Sequence, residues 1–284
     1  MSSVLAGALR YGCFPLFFLG YNGLALWLIV RGAPEAWRYA LLLLAVLNLL
    51  WIERRIPWQP DWNRDHGDSG KDLLHGLVNT GLSYAGVWAL PWLSGYAPLS
   101  GYWPAGWPWL LQFLFSLLVL DAGISLAHYA SHRWAPLWRF HAVHHGLRRL
   151  YGFNGWMKHP VHQLIETGAG ILPLWLLGIP VPLAAGLGFC VAIQLLLQHA
   201  NADYRIGPLK AWFATAEVHR YHHALGERGD VNFGLFTTLW DRLLGSHYQP
   251  SVPPPRRSAE LGVVGEPDFP QAYLAQLRYP FSAG

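Results

Sequence analysis

Long apolar stretches separated by short polar segments dominate the hydrophobic pattern of this chain. Four of them, at residues 12–30, 37–52, 73–95 and 107–127, predict membrane-spanning helices, because a helix needs about 20 mostly apolar residues to cross a bilayer. The first stretch is also similar to the apolar part of a signal peptide. No convincing small-residue cleavage site follows it, so we expect an uncleaved helix.

A further apolar stretch, at residues 164–199, is too long for one comfortable span. Gly178, Pro180 and Pro182 interrupt it, and a proline inside a helix removes a backbone hydrogen bond and clashes with the preceding turn. We therefore expect two helices joined at residues 178–182. They would form a re-entrant hairpin, so the predicted fold class is an all-α integral membrane protein with about four transmembrane helices plus this hairpin.

Lysine and arginine positions predict the orientation, because positively charged loops stay in the cytoplasm. The loop at 96–106 carries no charge, whereas basic residues follow the second span and the fourth. The residues concerned are Arg54, Arg55, Arg64, Lys71, Arg133, Arg139, Arg148, Arg149 and Lys158. We expect both of these segments in the cytoplasm, although Arg31 and Arg38 on the opposite side conflict mildly with this orientation.

Composition supports a multi-pass membrane protein. The chain is 53% hydrophobic and only 13% charged, with 16 Trp, whereas soluble domains carry about 25% charged residues. We assign the formal net charge of +4 to contacts with lipid headgroups, since no RNA-binding signature accompanies it. Nucleic acid is therefore not an expected partner. Cys13 and Cys190 lie far apart in apolar segments, which argues against a disulfide framework or a thiolate metal site.

Most of the 14 histidines are concentrated between residues 128 and 223. Three short motifs contain His128 and His132, then His141, His144 and His145, then His219, His222 and His223, while His199 stands alone. Residues three and four apart share a helix face, and neutral imidazole binds first-row metals. Nine imidazoles exceed the four ligands of a tetrahedral centre, so the pattern predicts two metal ions with four or five nitrogen ligands each.

Other kinds of histidine-rich protein fit the pattern less well. Surface histidines on amphipathic helices would not follow directly from the ends of apolar segments, as His128, His132 and His199 do. A membrane zinc protease would carry His-Glu-x-x-His, which is absent. A transporter would place ionisable residues in mid-membrane. Two redox metals held by nitrogen ligands against a bilayer suit oxygen activation near a lipid chain.

The order of these motifs resembles the fatty acid hydroxylase/sterol desaturase superfamily. The resemblance covers about residues 50–248 and includes Asp121 before the first motif and "NFGLFTTLWDRLLGS" (232–246) after the last. It implies four transmembrane helices under a cytosolic helical cap that holds a non-haem di-iron centre. It also implies a membrane-embedded fatty acid hydroxylase-like domain at 1–248, with its catalytic region at about 115–248. We expect 249–284 to be a Pro-rich tail with a short helix near 270–278.

The resemblance also implies the site residues. The metal ligands would be His128, His132, His141, His144, His145, His199, His219, His222 and His223, with His159 of the His-Pro motif as a further candidate. The family often has an acidic residue where His162 stands, which leaves the role of His162 open.

Asp121, Asn201 and Asp203 are candidates for catalytic support, and Glu217 is a further candidate for orienting an imidazole. Asp121 would accept a hydrogen bond from a ligand imidazole, and so would Glu217. Asn201 and Asp203 would hold a metal-bound water or orient an imidazole; the alternative is a helix cap or turn, which both residue types favour.

The function expected from the resemblance is O₂-dependent hydroxylation of a lipid C–H bond by two iron ions on the cytoplasmic side. Lipid or sterol desaturation, alkylglycerol ether monooxygenation and non-enzymatic metal binding are the alternatives. Zinc can replace iron in a purified sample. The chain has no haem, dinucleotide or iron–sulfur motif, so a separate ferredoxin, cytochrome or reductase would supply electrons.

Overall fold

The computed structural model describes residues 2–251 and 253–282, apart from the side chains of residues 227 and 228. Within these ranges the chain is all-helical, and the only β-type pairing is a few isolated bridges. The helices of six or more residues, numbered in chain order, are α1 (Ser3–Val30, with a π-helical stretch at Leu16–Tyr21), α2 (Glu35–Arg55), α3 (Ser69–Leu93), α4 (Trp109–Arg133), α5 (Ala135–His145), α6 (Pro160–Leu176), α7 (Val181–His199), α8 (Ala216–His222), α9 (Leu239–Leu244) and α10 (Tyr273–Arg278).

Four of the described helices, α1, α2, α4 and α7, are long and apolar enough to cross a membrane. The predicted number of spans is confirmed, but the set differs. The stretch at 73–95 forms α3, which is not one of the four, because polar residues such as Asp72, His75 and Asn79 interrupt its apolar sequence. The stretch at 164–199 does form two helices, α6 and α7, and α7 takes the fourth place. Re-entrant insertion of this pair stays a prediction.

Helix α7 is the central helix of the fold. It is 67% buried along its apolar window, against about a third or less for the other three spans. Ile193 and Leu196 pack with α1 and α2 in one hydrophobic core, while Leu187 and Leu195 pack with α4 and α6 in a second. His199, the last residue of α7, is therefore held by protein on every side.

Prolines determine where the helices that carry the histidines begin. Pro136 and Pro160 stand in the first turns of α5 and α6, where proline is tolerated because those backbone N–H groups have no intrahelical acceptor. Only Trp134, in an extended conformation, separates α4 from α5. This sharp turn brings the second histidine motif back beside the first.

Glycines allow α4 and α6 to cross at close range. A Cβ atom on Gly123 would lie 2.1 Å from the carbonyl oxygen of Ala169, and one on Gly170 would lie 2.9 Å from Ile124 Cγ1. Small residues permit such close backbone approach in membrane helices. The crossing holds α4 in place immediately before the residues that carry the first histidine motif.

The C-terminal segment packs back onto the helical region. Trp58 Nε1 donates a hydrogen bond to Pro255 O at 3.0 Å, and His75 Nε2 lies 2.9 Å from Gln276 Oε1. Gln276 is fully buried and belongs to α10, which lies within the range predicted for a short helix. The described part of residues 249–284 therefore contacts the protein instead of extending away from it.

Candidate metal centre

Two groups of histidines converge where α4, α5, α7 and α8 meet. The five-histidine cluster comprises His128, His132, His141, His145 and His222. The four-histidine cluster comprises His144, His199, His219 and His223. In each cluster one candidate ligand atom from every residue lies within 4.8 Å of all the others.

Helix geometry divides each His-x-x-His-His motif between the clusters. Residues four apart lie on nearly the same face, and the residue three from the first points slightly away. His141 and His145 thus enter the five-histidine cluster, while His144 enters the other. The third motif does the reverse: its outer pair, four residues apart, enters the four-histidine cluster, and His222 joins the five-histidine cluster.

Backbone carbonyls fix the protonation of several rings. Nδ1 lies 2.9 Å from a carbonyl oxygen in each of four histidines. The pairs are His128 with Phe233, His144 with Met157, His199 with Leu195 and His222 with Val231. A carbonyl can only accept, so each Nδ1 carries the proton, and in a neutral ring Nε2 is then left with a lone pair.

The Nε2 lone pairs of these rings face one another. The Nε2 atoms of His128 and His222 are 2.9 Å apart, and those of His144 and His199 are 3.2 Å apart. A hydrogen bond within either pair would require a doubly protonated imidazolium ring. Burial, followed by neighbouring histidines, lowers the pKa of His144 and His222 well below the usual range, which disfavours that form. A cation between the rings would remove the repulsion between the facing Nε2 lone pairs. These nitrogen donors therefore fit a metal ion at each cluster.

His132 also fits a role as a metal ligand, although the group beside its Nδ1 atom is a carboxylate and not a backbone carbonyl. Its Nδ1 faces Asp230 Oδ1 at 3.5 Å, and Asp230 also pairs with Arg133. Its Nε2 is buried and has no hydrogen-bond partner among the described residues, as expected for a ligand nitrogen. Asp230 thus orients His132 in the way a carboxylate supports a metal-bound histidine.

The structure does not bring His159 into either cluster. It caps the N-terminus of α6, where Nδ1 accepts a hydrogen bond from Val161 N at 3.1 Å, and Nε2 donates to Leu277 O at 3.2 Å. Both nitrogens are therefore engaged in contacts that hold α6 and the C-terminal segment.

The four polar candidates also bind elsewhere. Asp121 accepts hydrogen bonds from Phe236 N, Thr237 Oγ1 and Trp240 Nε1 at 2.8–3.0 Å. Asn201 pairs with Gln59 and Asn63; Asp203 pairs with Arg10 and Arg205; and Glu217 accepts from Ile206 N. Their hydrogen bonds and ion pairs go to the protein framework, and at His128, His144, His199 and His222 a backbone carbonyl takes the place of the expected acidic acceptor.

Asp121 nevertheless acts on the site through one loop. It holds Phe236 N, while Asp241 accepts from Phe233 N at 2.6 Å and Gly234 N at 2.9 Å. The same loop presents the Phe233 carbonyl to His128. The two carboxylates therefore fix the acceptor that orients a candidate ligand.

A buried charged group beside the five-histidine cluster was not predicted. His162 lies 4.4 Å from His141 between ring centroids, and its Nε2 contacts Ser131 Oγ at 2.9 Å. Burial raises the pKa of Glu166, but Lys158, which pairs with it, and His162 outweigh this and hold it below the usual range. The signal in the sequence was an acidic residue four positions after His162 in an otherwise apolar helix, since such residues are costly in a membrane protein.

A solvent-facing cavity leads to the five-histidine cluster. His132, His145 and His222 line it together with Trp138 and the Arg133–Asp230 pair. Small polar molecules can therefore approach the cluster from the side of the short helices.

Comparisons with known proteins agree with this site. A sequence model of the family described as fatty acid hydroxylase matches residues 113–246. Ornithine lipid hydroxylase OlsE of Rhizobium tropici is 34% identical over 261 residues, which cover 87% of this chain and 76% of that protein. Lathosterol oxidase of Mus musculus is 28% identical over 58% of this chain and 60% of its own length. The Delta(7)-sterol 5(6)-desaturase of Leptosphaeria maculans is 27% identical over 61% and 49% respectively. No solved structure matches the chain.

The relatives are lipid hydroxylases and sterol desaturases, and the matched region contains every member of both histidine clusters. With its apolar helices and its histidine-rich site, the chain belongs to the fatty acid hydroxylase/sterol desaturase superfamily of membrane oxidoreductases.

Proposed function

We propose that the protein is an integral membrane non-haem di-iron oxygenase that hydroxylates a C–H bond of a lipid, using O₂ and electrons from a separate donor. The observation that carries the proposal is the pair of facing Nε2 lone pairs, between His128 and His222 and between His144 and His199. Buried neutral imidazoles in this arrangement are stabilised by a bound cation at each cluster.

The nitrogen separations favour a metal with more than four ligands in the five-histidine cluster. Neighbouring ligands lie about 3.3 Å apart in a tetrahedral centre with bonds of about 2.0–2.1 Å, and about 2.9 Å apart in an octahedral one. The contacts of His141 Nε2 with His128 and His145 are both 3.0 Å. We assign one iron to each cluster; when bound, the irons supply the O₂ activation that attacks an unactivated C–H bond.

The protein's own residues orient the ligands and exclude water. Carbonyl acceptors fix the tautomers, and such supporting contacts raise the metal affinity of a site. The buried ring of Phe233 covers one side of the five-histidine cluster, with centroid distances of 5.6 Å to His128, 4.9 Å to His132 and 5.4 Å to His222. An apolar cover of this kind limits solvent access to a reactive centre.

Similarity favours a lipid that contains an amino acid as the substrate, and hydroxylation as the reaction. The match to the ornithine lipid hydroxylase covers 87% of this chain, against 58–61% for the two sterol enzymes. Desaturation is the second candidate, because a sterol desaturase is among the relatives. Both outcomes begin with hydrogen abstraction, and they differ in whether oxygen is added or a second hydrogen is removed.

We place the active site on the cytoplasmic side, where a ferredoxin, cytochrome or reductase can deliver electrons. Basic residues at the end of α2, such as Arg54 and Arg55, support this orientation. They lie at the same end of the bundle as the histidine clusters, since Glu53 accepts hydrogen bonds from Gly152 N and Asn201 N.

The test compares lipid extracts by mass spectrometry from cells that produce the full chain and cells with an empty vector. We expect amino-acid-containing lipids that have gained one oxygen atom, and purified protein that contains iron. Loss of two hydrogen atoms would support desaturation instead. An unchanged lipid profile, with iron-loaded protein and a working electron donor present, would contradict the proposal.

A further inference from the structure

A narrow cavity lies between α2, α3 and α7, separate from the two histidine clusters. Its residues run from Trp88 on α3 and Ala185 on α7 at one end to Asn79 and Leu195 at the other. Leu195 O accepts the Nδ1–H hydrogen bond of His199, so this second end is the inner end, next to the four-histidine cluster. The rise of α7 between Ala185 and Leu195 makes the cavity about 15 Å long.

The walls of the cavity suit an alkyl chain. Leu42, Val87, Val191 and Ala192 line its length, and such side chains offer close van der Waals contacts to methylene groups. Gly188 also lines the cavity, and a Cβ atom added there would meet nothing within 4 Å. The cavity thus has free space along α7 for an elongated apolar ligand.

Asn79 supplies an unpaired acceptor at the inner end. The residue is only 3% exposed, and its Nδ2 donates to Trp156 O at 2.9 Å and Lys158 O at 2.8 Å. These two carbonyls fix the amide orientation, because a carbonyl can only accept. The Oδ1 atom is buried and has no hydrogen-bond partner within the described ranges. A buried acceptor left unpaired is unfavourable, and a ligand whose N–H group donates to it would remove this cost.

The polar groups at the outer end are already paired with one another. Arg38 lies 3.1 Å from Glu35 Oε1, and the Tyr39 hydroxyl donates to Glu35 Oε2 at 3.1 Å. The buried acceptor without a partner, Asn79 Oδ1, lies at the inner end, so we place the polar group of the ligand there.

We propose that this cavity binds the acyl chain of the substrate, with an acyl amide N–H donating to Asn79 Oδ1 and the chain running outward toward Trp88. Asn79 is then a specificity-determining residue for acyl amides. The inference rests on the proposed function, and it adds a direction: the amide end of the lipid, and not the end of its chain, lies nearest the metal clusters. Oxidation accordingly falls at or near the polar end.

The first test measures binding to the purified full-length protein without an electron donor, so that no turnover occurs. The probes are N-dodecanoylglycine and the ester of the same length, dodecanoyl glycolate, which lacks the N–H. We expect the amide to bind about tenfold more tightly, a difference of about 1.4 kcal/mol. Equal affinities would overturn the role of Asn79.

The second test fills the cavity. Gly188→Phe is expected to weaken binding of both probes at least tenfold, whereas Gly86→Phe is the matched control, because Gly86 is exposed on α3, does not line the cavity and also has open space at its Cβ position. A folded Gly188→Phe protein with unchanged affinity would overturn the cavity as the site. If that variant does not fold, the amide and ester comparison on the unaltered protein still decides.

A photoreactive diazirine on the last carbon of the amide probe tests the direction. We expect crosslinks in peptides that contain Trp88 or Ala185, and labelling near Trp156 or the histidine motifs would overturn the direction. These binding results are separable from the proposed function. Amide preference without lipid oxidation would contradict the oxygenase only, and lipid oxidation without amide preference would contradict the cavity assignment only.

Discussion

Several histidines of this site have one ring nitrogen that donates a hydrogen bond to a backbone carbonyl and another that faces a second imidazole. In His144 one nitrogen donates to the carbonyl of Met157, and the other faces the Nε2 atom of His199. The first contact sets the tautomer, and this tautomer leaves the second nitrogen with a lone pair that can bind a metal ion. The site therefore depends on backbone carbonyls as much as on imidazoles.

Replacing His144 with alanine tests this arrangement. We expect His144→Ala to lower lipid oxidation more than about 100-fold and to reduce bound metal, because the four-histidine cluster loses a ligand. Product formation and metal content, measured on membrane-inserted protein, are the readouts. His66→Ala is the control, since His66 belongs to neither cluster. Full activity in His144→Ala would refute its role.

At this scale the sequence predicted residue types better than their contacts. The spacing of the motifs identified every histidine of both clusters. It could not separate these from His159, because the same imidazole that binds a metal also caps a helix when its nitrogens meet Val161 N and Leu277 O. We also expected Asp121 beside an imidazole. Its hydrogen bonds instead go to Phe236 and Thr237, more than a hundred residues further along the chain.

At the scale of elements, helices deliver the ligands and their crossings set the positions. The sequence predicted helices and the break at residues 178–182 correctly, because prolines and apolar runs are local signals. It assigned a membrane span to residues 73–95, although the polar residues of α3 leave that helix outside the four candidate spans. The burial of α7 inside the protein depends on packing that no local pattern contains.

The close crossing of α4 and α6 predicts that a residue larger than glycine at position 123 destabilises the protein. Gly123→Ala forces a Cβ atom to within 2.1 Å of Ala169 O, so the helices must separate, and we expect a loss of about 1–3 kcal/mol in stability together with weaker metal binding. Gly168→Ala is the control on α6, since a Cβ atom there meets nothing within 4 Å. Thermal unfolding and metal content of the two purified variants are compared; equal values would show that the crossing is not this tight.

At the scale of the whole molecule, the buried histidines make stability depend on pH. Burial lowers the pKa of His162 to about 4, and burial together with neighbouring histidines holds the pKa of His141, His145 and His219 well below the usual range. The unfolded chain takes up protons on these residues below about pH 6.5, and the folded chain does not. Stability is therefore full above pH 6.5 and falls as the pH drops toward 4.

The metal-stripped protein is expected to show this dependence directly. Each such histidine contributes up to about 1.4 kcal/mol per pH unit, so the unfolding temperature should fall steadily from pH 7 to pH 5. Added metal ions should raise that temperature most at the higher pH, because they compete with protons for the same nitrogens. An unfolding temperature that stays constant over this interval would contradict the burial of neutral histidines.

Because each His-x-x-His-His motif is divided between the two clusters, the two clusters share the helices that carry them. An insertion or a shift of one turn in α5 or α8 moves histidines of both clusters at once. The two candidate metal positions therefore depend on the same two helices, and a change in the length of either helix affects both.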